Sequence, residues 1–564
     1  MLNIVENLRQ EIKKITAEAV GRAVESGEFA QLEMPVINIE VPREKGHGNF
    51  SANIAMQLTK QLGRAPRQIA EVIINKMDLA GTYIEKVECA GPGFINFHLK
   101  NDWLYDALAL IQSEREGYGR INIGGGRKVM VEYVSANPTG PLHMGNARGG
   151  ALGDCIASVL EAAGYDVTRE FYVNDAGNQI EKFGISLEAR YIQLLKGEDA
   201  IAFPEDGYHG EDIIDHMKDF IAEYGDKLLD EEPESRRKKL VEFALPRNIS
   251  RIKAALETYG VKHDVWFSEQ SIYDSGELDE TIQLLKEKGC TVEKDGALWI
   301  KGSVMGVEKD EVLIRNNGLP TYFAADIAYH RNKFLKRGFD WVINLWGADH
   351  HGHVARMKGA LAAIGIDPCK LDVVLFQLVR LYRNGEIARM SKRTGRTISL
   401  TDLLEEVGRD AARFIFNMKA SGSHLDFDLD LAVQQSNENP VFYVQYAHAR
   451  INQIINRLEQ EGIKVPEMTE VNLSLLVQKE ELELIARLAE YPEEIRISAE
   501  TLEPSRLTRY VMEVAGLFHS FYNACNVKDS EDELRKARII LVDSTRTVMK
   551  NVLALLKISA PDRM

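Results

Sequence analysis

Cysteine is scarce and scattered: Cys89, Cys155, Cys290, Cys369 and Cys525 are the only five, and no two share a Cys-x-x-Cys spacing. That argues against a disulfide framework or a cysteine-based zinc site and points to a reducing, cytoplasmic setting. Long apolar runs are missing as well. No stretch approaches the roughly 18 residues a membrane span needs, so no membrane partner is expected. The first ten residues alternate charge with apolar side chains at helical spacing, unlike a signal peptide. Basic residues are not in excess either: the net charge is −16. This excludes a generally basic body, but not a local phosphate-binding surface, because overall charge sets long-range repulsion while affinity comes from the groups in contact. Residues 505–564 run against the trend, with ten Lys/Arg against seven Asp/Glu. There is no internal repeat and no low-complexity segment.

What is present is ordinary globular material, 45% hydrophobic and 27% charged, in a chain of 564 residues. That length is too great for one core and implies two to four domains. Residues 1–115 read as a helix followed by an α/β module, with strands at Val36–Val41 and Lys86–Leu99 and a helix around Ser51–Leu62. Ile121-Asn-Ile-Gly-Gly-Gly126 precedes a strand rather than following one, lacks the Lys-Ser/Thr of a phosphate loop, and reads as a flexible joint. Over 122–400 a strand at 128–134, a helix from Asn146 and a strand through Val167–Val173 make a right-handed βαβ unit. A charged helical insertion at about 180–265, with Asp230–Lys239 as a solvated face, interrupts it. A hairpin follows (Ala297–Gly302, Glu311–Arg315). Strand Trp341–Leu345, a helix from His353 to Ile364 and strand Val373–Leu378 then complete the unit. The alternation predicts an α/β, Rossmann-type doubly wound parallel sheet with its ligand site at the carboxyl ends of the strands. The α/β module precedes it. An all-α bundle occupies 401–564, almost wholly helical from about 405.

The most informative segment is Asn137-Pro-Thr-Gly-Pro-Leu-His143-Met-Gly145-Asn146, a turn between the buried strand and its helix. First-turn amides lack partners and the macrodipole favours an anion, so a strand–turn–helix start is a ready phosphate site. Gly145 allows close approach of a phosphate or adenine, and His143 supplies a donor. A lone His-x-Gly is most often only a turn. A second element, Arg389-Met390-Ser391-Lys392-Arg393, lies in a polar stretch punctuated by Gly385 and Gly395 that reads as a mobile basic loop.

Together the two elements resemble the paired signatures of class I aminoacyl-tRNA synthetases, usually written HIGH and KMSKS. Four further blocks extend the likeness to bacterial arginyl-tRNA synthetases across essentially the whole chain. They are Val131–Gly150, Tyr172-Val-Asn174-Asp175-Ala-Gly-Asn-Gln179-Ile180, Asn439–Arg450 and the terminal Ala560–Met564, with Gly91–Phe97 beside them. Two positions depart from the pattern. Asn146 stands where the first signature ends in His, and Arg389 where the second opens with Lys. Asn still donates but carries no charge; Arg keeps the charge with a different geometry.

The resemblance implies ATP-dependent activation of arginine and its transfer to tRNA. His143 and Asn146 would hold the α- and β-phosphates beside Gly145. Lys392 would neutralise departing pyrophosphate, with Arg389 and Arg393 assisting and Met390 and Ser391 shaping the loop. Magnesium is implied with ATP, although no carboxylate cluster marks a dedicated metal cage. A guanidinium is a planar fork suited to carboxylates, and Glu132 and Asp326 match the positions that grip it, with Tyr322 packed over it. Ser135 and Asn137 would take the substrate's ammonium and carboxylate, and Asn174, Asp175 and Gln179 would line the cleft. Glu132 read without the family is an edge residue, and Asp326 a cap for the following helix.

Gly347-Ala-Asp349-His350-His351-Gly-His353 admits two readings: metal ligands, or an ATP-ribose and adenine loop in which Gly347 and Asp349 act. Tyr443, Tyr446 and Arg450 lie on one helical stripe, either core or base-stacking platform. The resemblance makes them anticodon contacts along with Met564, and makes Phe94 and Asn96 contacts to the tRNA elbow. The expected state is a monomer, and no editing domain is apparent. The alternatives are a catalytically silent tRNA-binding paralogue and a class I synthetase for another amino acid.

Overall fold

The computed structural model describes residues 3–42, 44–388 and 398–564. At its centre lie strand β1 (Lys128–Glu132), helix α1 (Met144–Ala162) and strand β2 (Asp166–Val173). Then come the insertion helices α2 (Asn178–Lys196), α3 (Glu211–Tyr224) and α4 (Pro233–Thr258), and strand β3 (Val265–Ser268). Helix α5 (Tyr322–Arg331), strand β4 (Trp341–Gly347), helix α6 (His351–Ile364) and strand β5 (Leu371–Phe376) close the domain. The five strands are parallel in the order β5-β4-β1-β2-β3. The interior strands read as near-continuous apolar runs because both faces are covered. The chain winds one way from β1 to β3 and then restarts on β1's other edge. The two halves diverge between β1 and β4, and a doubly wound sheet opens its crevice at that switch point. In register there, Glu132 sits opposite Asn344 on one side and Glu170 on the other.

The insertion has its own apolar core, including Phe183, Leu187, Tyr191, Met217, Phe220 and Leu240. Its expected end at about 265 hides a strand. Val265-Trp-Phe-Ser pairs with β2, an edge too short for periodicity to show. The hairpin is there and carries a third antiparallel strand, Thr291–Lys294.

The N-terminal module is a four-stranded antiparallel sheet backed by helices Ile4–Glu25, Ile54–Leu62 and Pro66–Asn75. The strand expected over Lys86–Leu99 is two, Ile84–Ala90 and Phe94–Leu99, folded back on each other at Gly91-Pro92-Gly93. Val36–Val41 shortens to Ile39–Glu40. The joint at Gly124–Gly126 is pinned rather than loose. The amides of Ile121, Gly124 and Gly126 bond the last carbonyls around α1, and a Cβ on Gly124 would come within 2.6 Å of Gly164 and Tyr165.

Beyond residue 400 the chain is helical apart from Leu425–Asp428, which pairs in parallel with Val379–Arg383. Helices α7 (Pro440–Gln460) and α8 (Ser505–Ala524) lie in the C-terminal bundle. Among the described residues, no helix is long and apolar enough to cross a membrane.

Candidate functional site

The turn after β1 is held in an unusual backbone. Val134 and Ser135 both have positive φ, 73° and 31°, a conformation that costs non-glycine residues about 1–3 kcal/mol each. The kink lets the Ser135 hydroxyl donate to Glu132 Oε1 at 2.9 Å and accept the Tyr172 amide at 3.2 Å. Downstream, Asn174 Nδ2 donates to Asn137 Oδ1 at 3.0 Å, and Asn248 Nδ2 of α4 donates to the Pro138 carbonyl at 3.0 Å. The turn is thus tied to the end of β2 and to the insertion.

His143 caps α1. Its Nδ1 accepts the Gly145 amide at 3.1 Å, while Asn146 Oδ1 accepts the His143 amide at 3.0 Å. The reciprocal cap fixes both outward-facing groups. With Nδ1 accepting, and burial holding the imidazole pKa below its ordinary value, the neutral ring carries its proton on Nε2. Asn146, its oxygen turned back, offers its Nδ2 protons. Both departures from full positive charge therefore leave hydrogen-bond donors beside a helix N-terminus. A Cβ on Gly145 would meet His143 Cε1 at 3.0 Å, so the glycine first serves the histidine's placement.

Arg389, Met390, Ser391, Lys392 and Arg393 lie outside the described residues. The chain that follows them is fixed: Ser399 bridges His143, and the Leu400 amide donates to the Leu142 carbonyl at 2.8 Å. The first motif is thereby tied to the segment at Ser399 and Leu400.

Tyr322 and Asp326 sit one turn apart on α5. Thr321 is that helix's N-cap, so Asp326 does not cap it. The Asp326 carboxylate instead takes His353 Nε2 at 3.0 Å. Glu132 already has partners within the protein. Its oxygens are engaged by Ser135 and by the wholly buried ammonium of Lys333 at 2.5 Å. A second buried acid, Glu269, lies at the carboxyl end of β3 within the electrostatic reach of Asp326. Glu269 is 1% exposed and its Oε2 has no hydrogen-bond partner. Burial first, then the charges of Asp326 and Asp175, push its carboxyl up to about 8. Asp175 itself is spent on Ser268 Oγ (2.6 Å) and the Gln270 amide (2.9 Å), shaping this loop. Gln179 accepts the Tyr208 hydroxyl. The Tyr172 phenol is raised by burial and by the surrounding Glu269, Asp326 and Glu132 charges. Tyr322 stands beside Gly177 at the rim, 43% exposed. The cluster is strongly anionic, and among the described residues no lysine or arginine pairs with Glu269 or Asp326. Such a cluster has the electrostatics that favour a cation.

The run from Asp349 to His353 disperses. His353 turns to Asp326 and packs on Phe323 and Trp346, His350 lies 3.6 Å from Asp349, and Asp349 folds back over Gly347 at the end of β4. Among the described residues no group of three or more His, Cys, Asp or Glu could hold a metal ion.

Comparison with known proteins bears on the whole chain. Residues 3–99 match the arginyl tRNA synthetase N-terminal domain, 108–456 the class I (R) tRNA synthetase catalytic domain, and 444–564 the DALR anticodon-binding domain. A protein from Ruminiclostridium cellulolyticum named arginine–tRNA ligase is 71% identical over 564 residues, covering all of both chains. The chain belongs to the arginyl-tRNA synthetases. A second arginine–tRNA ligase, from Acetivibrio thermocellus, is 70% identical over the full length of both chains. The fold is shared with the Thermus thermophilus arginyl-tRNA synthetase, at a TM-score of 0.73 and 22% identity over 99% of this chain and all of that one.

For such a synthetase the remaining expected contacts are unequal. Phe94 is 36% exposed, but Asn96 is buried on the central strand of its sheet and accepts the Ser51 hydroxyl at 2.8 Å, so it offers no surface. The α7 stripe splits. Tyr443 packs by His519 of α8 and the Arg450 guanidinium lies 4.9 Å over the Tyr522 ring, whereas Tyr446 is exposed and stacked on Phe442. Met564 is exposed at the end of a tail held by His448 on the Pro561 carbonyl at 3.0 Å.

Glu269, Lys333 and Asn344 escaped the sequence reading, and His353 was read only within the Gly347–His353 run, not as a partner of Asp326. Reading Val265–Ser268 as a strand would have pointed to Glu269, since a residue just past a parallel strand faces the crevice. The others carry no such signal.

Proposed function

We propose that this chain is an arginine–tRNA ligase acting as a cytoplasmic monomer. It joins arginine to AMP with release of pyrophosphate and then transfers arginine to the terminal adenosine of tRNA. The observation that carries the reading is the acid pocket of Glu269 and Asp326 lying on the sheet whose β1–α1 turn presents His143 and Asn146. In the first step a carboxylate oxygen of arginine attacks the α-phosphorus, and the bond from that phosphorus to the bridging oxygen of pyrophosphate breaks. Charge grows on the departing phosphates, so positioned donors lower the barrier. His143 Nε2–H, the Asn146 amide and the α1 N-terminus serve that role at the α- and β-phosphates. Lys392, flanked by Arg389 and Arg393 and positioned by Met390 and Ser391, meets the pyrophosphate. Gly347 and Asp349 border the ribose and adenine. Magnesium would accompany ATP and would supply charge neutralisation at its phosphates.

Glu269 and Asp326 clasp the guanidinium under Tyr322, and Glu132, Ser135, Asn137 and Asn174 receive the ammonium and carboxylate end. In the second step the terminal ribose hydroxyl of tRNA attacks the activated carbonyl and AMP leaves. The tRNA rests on Phe94, Tyr446, Arg450, Tyr443 and Met564. ATP–pyrophosphate exchange with arginine, with and without tRNA, tests the proposal. No exchange in either condition would refute it, and exchange with lysine, cysteine or glutamate instead would replace the substrate.

A further inference from the structure

Glu132 and Glu170 stand side by side on neighbouring strands, both buried, with Asn344 completing the row on β4. Adjacent like charges in an apolar interior persist only when each is met by a cation. One short segment supplies both. The π-helical turn Asn332–Lys336 that ends α5 carries Lys333 to Glu132, and the next residue, Arg337, pairs with Glu170. Such widened turns are uncommon and often mark functional positions.

Lys333 is fully buried, and its three ammonium protons have three targets. These are Glu132 Oε2 at 2.5 Å, Asn344 Oδ1 at 3.1 Å and the face of the Tyr329 ring at 4.1 Å. An ammonium only donates, so the polarity of the next links is fixed. Asn344, its oxygen taken, donates from Nδ2 to His330 Nε2 at 2.8 Å. Burial holds His330 neutral, its pKa down to about 3, so its single proton sits on Nδ1 and is donated to the Asp326 carbonyl at 2.8 Å.

We infer that Lys333 is a positioning residue for the arginine subsite: it anchors Glu132 directly and, through Asn344 and His330, holds α5 with Asp326 and Tyr322 against the carboxyl ends of β1 and β4. The inference rests on reading the acid pocket as that subsite. Neither His143 nor Asn146 belongs to this network, so its loss acts on arginine and spares ATP.

The test is ATP–pyrophosphate exchange by the full-length protein with tRNA present, varying arginine and ATP separately. Lys333→Met and Asn344→Leu are each expected to raise the arginine KM about tenfold or more while the ATP KM stays within about twofold. A merely structural role would lower kcat and the thermal midpoint and leave the arginine KM within about twofold, and that result overturns the inference. If Lys333→Met does not fold, Asn344→Leu decides alone, since it keeps the Lys333–Glu132 pair. If the unmodified protein itself shows no arginine-dependent exchange, the subsite reading fails and the inference falls with it, distinguishably from a failure confined to the variants.

Discussion

Glu269 offers the sharpest test because burial and the nearby Asp326 and Asp175 charges raise its carboxyl to about 8. The guanidinium needs the carboxylate form, so arginine binding must expel a proton wherever Glu269 is still protonated. With that pKa, about one site in ten is ionised at pH 7 and about one in a hundred at pH 6, a weakening of about 1.4 kcal/mol for each unit below 8. The arginine KM of the wild-type protein should therefore fall by about two orders of magnitude between pH 6 and 8.5. Glu269→Gln keeps the shape but cannot ionise, so its KM should be nearly flat over that range. A charge-assisted bond is worth about 1.5–3 kcal/mol, which puts the variant's KM about tenfold or more above wild type at pH 8.5. A tenfold gap should close near pH 7 and reverse toward pH 6.

Stability has the opposite sign. A carboxyl raised on folding keeps a proton that the unfolded chain releases above 4.5, so folding stability declines as pH rises from 4.5 toward 8. Glu269→Gln should accordingly raise the thermal midpoint at pH 8 and change it least near pH 5. Exchange kinetics at saturating ATP, paired with thermal melts, measure both effects. A wild-type KM that is flat with pH, or an identical slope in Glu269→Gln, would refute the assignment.

Asp326→Asn should raise the arginine KM far more than the ATP KM, and equal effects on both would contradict its role. Gly145→Ala places a methyl against His143 Cε1, and should raise the ATP KM and slow activation while leaving the arginine KM within about twofold; a parallel rise in both would mean the turn itself had collapsed. Lys392→Ala should slow adenylate formation with little loss of arginine affinity, and unchanged single-turnover rates would remove it from the mechanism. Tyr446→Ala should weaken tRNA in aminoacylation by about 1–3 kcal/mol if its exposed ring stacks on a base, without altering exchange at saturating tRNA.

Much of the molecule was legible from residue order. Local chemistry decides a buried parallel strand and a capped helix start, because propensity, spacing and end-group satisfaction are set by neighbours in the chain. The doubly wound sheet, the His143–Asn146 turn, the helical insertion and the C-terminal bundle all follow from such short-range rules. Strands were hidden or fused where a four-residue length or a tight turn left no periodicity to read. Asn96 alternates correctly with Ile95, yet Ser51 on the adjacent strand decides that it is buried.

Charge partnership is the part that only tertiary structure settled. Sequence marks Glu132 as an acid at a strand end, but Lys333, some two hundred residues away, determines that it arrives already paired. Glu269 is an ordinary glutamate until the fold buries it between Asp326 and Asp175 and leaves one oxygen without a partner. Residue order selects which groups exist and which local shapes they favour. Which carboxylate stays open for a ligand depends on burial and through-space Coulomb interactions, and these arise only when distant strands and helices meet.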